Sequence, residues 1–375
     1  MKNFDFNTPE IQGIGRFVVR DDRLAYDWPG SELYLGVSDT RSLSLVMNGA
    51  HNWFNVDING HRQILATDGD TNTYNLQWPE PDHRGPVSVR ITQRTEGTAA
   101  TPDGRTGTVG FEGVILDDTA SLSALPFPAH TIEFIGDSDT AAYVNVGPRT
   151  GLRPEDRSVF ADHAYQDASA SWAAVTAEAF GAACHNISYS GMGAVWNSPG
   201  HSETRAMDHF YGRLLVNDPD SHIADNDTLS LPKVDLIVMY IGGNDWWSID
   251  GREADFSRGY AEFLAYIRSI RGDVPILIAC ANGSSGSCLQ TQPRQQQFSE
   301  QMIDLISDAV ALAEVSNVHQ RVVVPSPGID VDDDSDWGVM EHWSANAHIK
   351  WAGSVIDHVA DITGWPRTTS RGATS

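Results

Sequence analysis

Two patterns of apolar spacing divide the chain. Over residues 13–118, short runs alternate apolar and polar positions: GRFVV, LAYDW, ELYLGV, SLSLVM, WFNVDI, RQILAT, VSVRITQRT and VGFEGVIL. A period of two is the mark of a half-buried strand, and turn residues separate the runs. Asn59-Gly60 supplies the strongest short hairpin signal. No long helical period appears here. Many short strands at this spacing predict an all-β domain over residues 1–125, an antiparallel sandwich of jelly-roll type. The segment 117–130, with SLSALPFP and its two prolines, reads as a link.

From Thr131 the pattern changes. Fully apolar runs alternate with helical stretches, as in a parallel α/β sheet. The runs are TIEFIG, HNISYS, VDLIVMYIG, VPILIAC and RVVVPSP, and helices are expected near 168–180, 255–271, 297–315 and 345–362. Residues 234–241 are apolar on both faces apart from Asp235, as a central parallel strand should be. The second domain is therefore α/β and takes residues 126–375. No internal repeat is present.

Composition narrows the partners. A net charge of -25 over 375 residues repels nucleic acid and anionic lipid surfaces and suits a neutral substrate. No apolar run is long enough to cross a bilayer. The first residues, MKNFDFNTPEIQG, lack the apolar core of a secretory signal, so the chain is expected to be cytoplasmic or a mature secreted or periplasmic form. Cys184, Cys280 and Cys288 form no disulfide framework or zinc pattern. Cys280 and Cys288 could close a small loop in an oxidising compartment, with two reduced thiols as the preferred alternative. The acidic run DVDDDSD at 330–336 lacks the Gly and distal Glu of an EF-hand and reads as a solvated loop.

Four local signals fall in order through the second domain. Gly136-Asp137-Ser138 follows the first strand, Ser188-Tyr189-Ser190-Gly191-Met192-Gly193 the next, Gly242-Gly243-Asn244-Asp245 the third, and Glu341-His342 precedes the last helix. In a parallel sheet the carboxyl ends share one edge, where ligands bind, so the first three converge by topology and a late loop can bring the fourth. This order resembles the SGNH or GDSL-type hydrolases, and the blocks map onto Ser138, Gly191, Asn244 and His342. With a jelly roll placed ahead, the chain resembles carbohydrate esterase family two, whose members remove acetyl groups from plant polysaccharides. IEFIGDS, SYSGMG and HWSANAH carry that resemblance, which covers most of the chain. The family's histidine pair has the same six-residue spacing as His342 and His348 and uses the first.

The chemistry stands beside the family. A serine hydroxyl needs a base to become a nucleophile, and a neutral His342 suits that work near pH 7. An oxyanion needs donors already aimed at it, and the Ser138 and Gly191 backbone N–H groups with the Asn244 amide would supply three. Gly193 could fill the Gly191 role equally, and Asn244-Asp245 could cap a helix. Position 139 is Asp where the superfamily name expects an apolar residue. The superfamily commonly places an Asp two or three residues before the His, where this chain has Val339 and Met340. A Ser-His dyad oriented by a backbone carbonyl is favoured, with Glu341 and then Asp336 as alternative third members. Trp196, Trp246, Trp247 and Trp343 flank these blocks, and indole packs well on sugar rings. At least one of the four is expected in the core.

The expectation is a carbohydrate O-acetyl esterase acting through a serine acyl-enzyme on an acetylated glycan, with no metal or organic cofactor. The rivals are a lipase-like or thioester hydrolase and a glycan-binding protein with a decayed site.

Overall fold

The protein is described by a computed structural model over residues 1–79, 85–97, 107–149, 163–201, 203–223, 231–281 and 292–368. Its contacts divide it into two compact units, Met1–Phe127 with Arg213–Pro232, and Pro128–Gly212 with Lys233–Ser375.

The first unit holds β1 (Lys2–Asp5), β2 (Gln12–Ile14), β3 (Val18–Arg20), β4 (Arg23–Tyr26), β5 (Glu32–Ser38), β6 (Leu43–Asn48), β7 (Trp53–Ile58), β8 (His61–Ala66), β9 (Thr71–Asn75), β10 (Val87–Gln93), β11 (Val109–Leu116) and β12 (Ser121–Ser123). They form two antiparallel sheets, ordered β3-β4-β11-β6-β9 with β1 on β11, and β12-β5-β10-β7-β8 with β2 on β5. In β10 the alternation holds, with Val87, Val89 and Ile91 buried and Arg90 exposed between them, whereas β5 is buried throughout from Glu32 to Val37. Phe54, Val56, Leu45, Met47 and Phe111 join them in the core. Asn59 (φ 50°) and Gly60 (φ 86°) turn β7 into β8, and both positive angles are what a type I′ hairpin requires. The link contributes β12, which pairs with β5 because Ser-Leu-Ser also alternates.

Arg213–Pro232 joins this unit through buried polar contacts. Asp27 accepts from the backbone N–H of Val216 (2.8 Å) and Asn217 (3.1 Å), and Trp28 donates to the Leu214 carbonyl (3.0 Å). Leu214 and Leu215 pack against Val18 and Ala25. No periodicity in the sequence marks this excursion.

The second unit has a five-stranded parallel sheet ordered β14-β13-β15-β16-β17, from β13 (Thr131–Gly136), β14 (Ala183–Ser188), β15 (Leu236–Tyr240), β16 (Ile276–Ala281) and β17 (Val318–Val323). Its helices are α1 (Ser138–Ala141), α2 (Trp172–Glu178), α3 (Met207–Phe210), α4 (Trp246–Ile249), α5 (Glu253–Arg271), α6 (Gln292–Ala313) and α7 (Ala345–Thr363). The helix expected from 168 is broken in two. Asp167 caps a 3₁₀ turn, Ala168–Ala170, and Ser171 then caps α2 with its hydroxyl on the Ala174 N–H. Ile132, Phe134, Leu236 and Val238 pack against Trp172, Trp351 and Val355. Glu133, fully buried in β13, is satisfied by Tyr211, Arg271 and His185, as a buried charge must be. Cys280 is buried in β16, and its sequence partner Cys288 lies outside the described residues. No helix among the described residues is long and apolar enough to cross a membrane.

Candidate active site

The strand register brings three of the four blocks to one edge. Gly136, the last residue of β13, pairs with Ser188 of β14 and Tyr240 of β15. The residues after each, Asp137-Ser138, Tyr189-Ser190-Gly191 and Ile241–Asn244, therefore leave the sheet side by side.

Ser138 is placed by a turn too tight for a side chain at 136. A Cβ there would come within 2.0 Å of Thr140 Oγ1 and 2.7 Å of the Tyr240 carbonyl. Asp137 then caps α1, its carboxylate accepting from the Asp139 N–H at 3.1 Å. Asp137, Asp139, Thr140 and Ala141 are buried, and Ser138 alone of this turn is partly exposed. Burial pushes the Asp137 carboxyl up, against the pull of the Asp139 N–H and the Asn244 amide. The departure at 139 is accommodated inside the fold, where Asp139 and Asp137 add to the burial that holds the Tyr240 hydroxyl high.

Asn244 bridges two blocks. Its amide donates to Asp137 Oδ2 (3.1 Å) and to the Met192 carbonyl (2.9 Å). Gly191 has φ 77°, and a Cβ there would meet the His201 ring at 2.5 Å, so only glycine fits. Its N–H, like that of Ser138, finds no acceptor among the described residues. Gly193, the other glycine of the block, spends its N–H on Asn197 Oδ1 at 3.2 Å.

Asp245, which the sequence offered only as half of a cap, organises this loop. Its fully buried carboxylate accepts from the N–H groups of Ala194, Val195 and Trp196, each at 2.7 Å. Burial raises its pKa to about 7, with the three N–H groups pulling the other way.

His342 sits half-buried in a tight loop. Trp337 and Trp343 form an antiparallel bridge, inside which Gly338 N–H donates to the His342 carbonyl at 2.7 Å. Met340 (φ 58°) and Glu341 (φ 62°) both have left-handed backbone just before the histidine. The loop is bound to the segment after Ser138. Val339 N–H donates to the Val144 carbonyl (3.3 Å), Ala345 N–H to the Asn145 carbonyl (2.9 Å), and the Tyr143 ring stands edge-on to His342 at 5.0 Å. His348, in α7, is structural: its Nδ1 accepts from the Trp172 N–H, and burial drives its pKa down to about 3.

The two sequence-predicted carboxylates are engaged elsewhere. Glu341 takes the Arg149 guanidinium at 2.9 Å. Asp336, fully buried, binds Lys350 (2.6 Å), Asn346 (2.7 Å) and the Asp330 N–H (2.8 Å).

The four tryptophans divide. Trp343 is fully buried against Tyr240 and Trp351, so it has no surface for a sugar and the expectation of a substrate contact is corrected there. Trp196 has the Arg252 guanidinium 3.9 Å over its ring, and Trp246 packs on Phe298 at 4.6 Å. Trp247 is 56% exposed and offers an open indole. Among the described residues, no group of three or more His, Cys, Asp or Glu is gathered as a metal site would require.

Comparison with known proteins bears on both domains. Residues 13–126 match the family description "Carbohydrate esterase 2 N-terminal". Across both domains, the fold is shared with a family two carbohydrate esterase from Cellvibrio japonicus, at TM-score 0.78 and 20% identity, covering 97% of this chain and 98% of that one. The architecture is that of carbohydrate esterase family two. In sequence, the chain is 25% identical to an acetylxylan esterase / glucomannan deacetylase of Cellvibrio japonicus over 90% of its own length and 86% of the relative's. It is 26% identical to the cellulase/esterase CelE of Acetivibrio thermocellus over 70% of its own length, and the match spans only 30% of that larger protein. Sequence reasoning singled out neither Tyr143, against the His342 ring, nor Asp245, under the loop after Gly193, as a contact of the candidate site. Asp245 could have been found from its place after Asn244, whereas nothing in the sequence singles out Tyr143.

Proposed function

We propose that the chain is a carbohydrate O-acetyl esterase, with Ser138 as nucleophile and His342 as general base. The observation that carries this is the pair of backbone N–H groups, at Ser138 and Gly191, that lack an acceptor among the described residues beside the Asn244 amide. Donors left open next to a partly exposed serine suit a developing oxyanion. Ser138 Oγ attacks the acetyl carbonyl as His342 takes its proton. The tetrahedral oxyanion is held by the two N–H groups and by Asn244, which exchanges one of its present acceptors for it. Collapse expels the sugar alkoxide, which receives the proton from His342. Water then attacks the acetyl-serine with His342 again as base, releasing acetate and restoring Ser138.

The favoured pair is a dyad. The engagement of Glu341 by Arg149 and of Asp336 by Lys350 supports orientation of the imidazole by a neutral acceptor. No metal or organic cofactor enters any step. The substrate class, an acetylated glycan, follows from the relative named as acetylxylan esterase / glucomannan deacetylase and from the open indole of Trp247.

The test is release of acetate from acetylated xylan and glucomannan, with 4-nitrophenyl acetate as reporter. Ser138→Ala should lose nearly all turnover on every ester while unfolding at an unchanged temperature. Retained turnover, or covalent labelling of another residue by a serine-directed phosphonate, overturns the assignment. Hydrolysis of long-chain esters without acetate release from glycans overturns the substrate class.

A further inference from the structure

We infer that Tyr143 is a positioning residue that fixes the ring plane of His342 for its work on Ser138. This rests on the reading of Ser138 and His342 as nucleophile and base.

Three observations lead to it. First, the Tyr143 ring stands against the His342 ring with centroids 5.0 Å apart and planes at 78°, an edge contact. Aromatic pairs favour that arrangement, and rotation of either ring breaks it. Second, Tyr143 is held by backbone conformations that cost energy. Ala142 (φ 59°) and Val144 (φ 48°) flank it, both with left-handed backbone and both fully buried. A β-branched residue there is a genuine outlier. Such conformations persist only where the surroundings over-determine them, and they gather at functional sites. Third, the segment is stitched at each end. Tyr143 N–H donates to the Ser138 carbonyl (2.9 Å), which ties the ring to the turn that carries the nucleophile. On the other side the Val144 and Asn145 carbonyls accept from Val339 and Ala345, which bracket His342. Asn145 is locked in turn by reciprocal bonds with Asp167, at 2.8 and 3.1 Å.

The physical consequence concerns orientation. In a triad, a carboxylate on Nδ1 selects the tautomer and fixes the ring. Here Glu341 and Asp336 serve Arg149 and Lys350. A hydrogen bond at one ring nitrogen selects the tautomer, and a packing contact on the ring limits its swing about that bond. Tyr143 supplies that contact from a segment that also carries Ser138, so the relative placement of base and nucleophile is set by one continuous piece of chain.

The test compares Tyr143→Phe, Tyr143→Leu and Tyr143→Met with wild type and Ser138→Ala on 4-nitrophenyl acetate. Phe keeps the ring and should keep most of kcat. Leu and Met fill the space without a ring plane and should lose up to about 10²-fold in kcat, the cost of a small misplacement of reacting groups, with KM little changed. The acid limb of the kcat/KM profile against pH, which follows the base, should move in Leu and Met and stay in place in Phe. An unchanged kcat in Leu or Met overturns the inference. So does an equal loss in Phe, which would give the role to the hydroxyl, or a rise in KM alone, which would make Tyr143 a substrate contact. Failure of both Leu and Met to fold also counts against it, since the ring would then be a packing element. Turnover retained by Ser138→Ala brings down the esterase reading and this inference together, whereas turnover retained only by Tyr143→Leu and Tyr143→Met brings down this inference alone.

Discussion

On the Asn244 side of the proposed site, one buried carboxylate does the organising. Asp245 gathers three consecutive N–H groups at 2.7 Å and so shapes the loop that begins at Gly191. On the His342 side, the sequence-predicted carboxylates point to Arg149 and Lys350, and the loop is held by backbone bonds, left-handed residues and the Tyr143 ring. The difference teaches how each side should fail. A single buried carboxyl group serving three donors is a concentrated dependence, and removing it strands several N–H groups at once. On the other side backbone bonds and the Tyr143 edge hold the His342 loop, so losing the charge of Glu341 or Asp336 should matter little to turnover.

The largest effect that sharpens this contrast is at Asn244. Asn244→Ala should lower kcat by about 10²–10³-fold, as removal of one oxyanion donor does, with KM nearly unchanged. Steady-state kinetics on a soluble acetyl ester checks it, and a change confined to KM would move Asn244 to substrate binding.

Next comes Asp245→Asn. The amide offers one acceptor oxygen where the carboxylate serves three N–H groups. Stability should fall by about 2–3 kcal/mol, and kcat should drop as the Gly191 loop relaxes. The pH dependence has a definite sign. The folded-state pKa is raised to about 7 by burial, above the ordinary value of 3.8. The folded state therefore holds this proton more tightly than the unfolded chain. The stabilisation from it is complete below about pH 4 and is lost as pH rises through about 7. Thermal unfolding from pH 4 to 8 should show a fall in Tm in wild type that is smaller in the variant. An unchanged Tm and kcat in Asp245→Asn would break the comparison on this side.

The smallest effects are expected at the other side's carboxylates. Glu341→Gln and Asp336→Asn should each keep kcat within roughly threefold, since both keep side-chain size and remove only charge. A triad carboxylate replaced by its amide costs about 10⁴ in the protease example. A thousandfold loss in either variant would name the missing acid and end the dyad. Asp336→Asn should still lower Tm, because it leaves Lys350 half-buried without its charge partner.

Much of this was legible before folding was considered. The period of two over 13–118 and the fully apolar runs after 131 identify two sheets of different kinds, because burial on one face or both leaves different residue patterns. Trp343 shows where that legibility stops. Its position beside His342 suggested a sugar platform, but neighbours in sequence point in different directions, and it is buried against Tyr240 and Trp351. Arg213–Pro232 shows the same limit at the scale of a segment. It follows a helix of the second domain yet satisfies Asp27 and Trp28 of the first, through bonds spanning about 190 residues that no local pattern records.

The two fold classes and the order of the four blocks were set by the chain alone, and so were the residue types on which the proposal for Ser138, Gly191, Asn244 and His342 is built. These depend on local periodicity and on residue identity, which a linear chain carries in full. Which groups meet emerges only on folding: Asp245 with the loop after Gly193, Glu341 with Arg149, Tyr143 with His342. The reason is geometric. Strand register puts Gly136, Ser188 and Tyr240 in line, and every contact at that edge then depends on how loops from distant parts of the chain close over it, where backbone bonds and strained dihedrals outweigh any preference written locally.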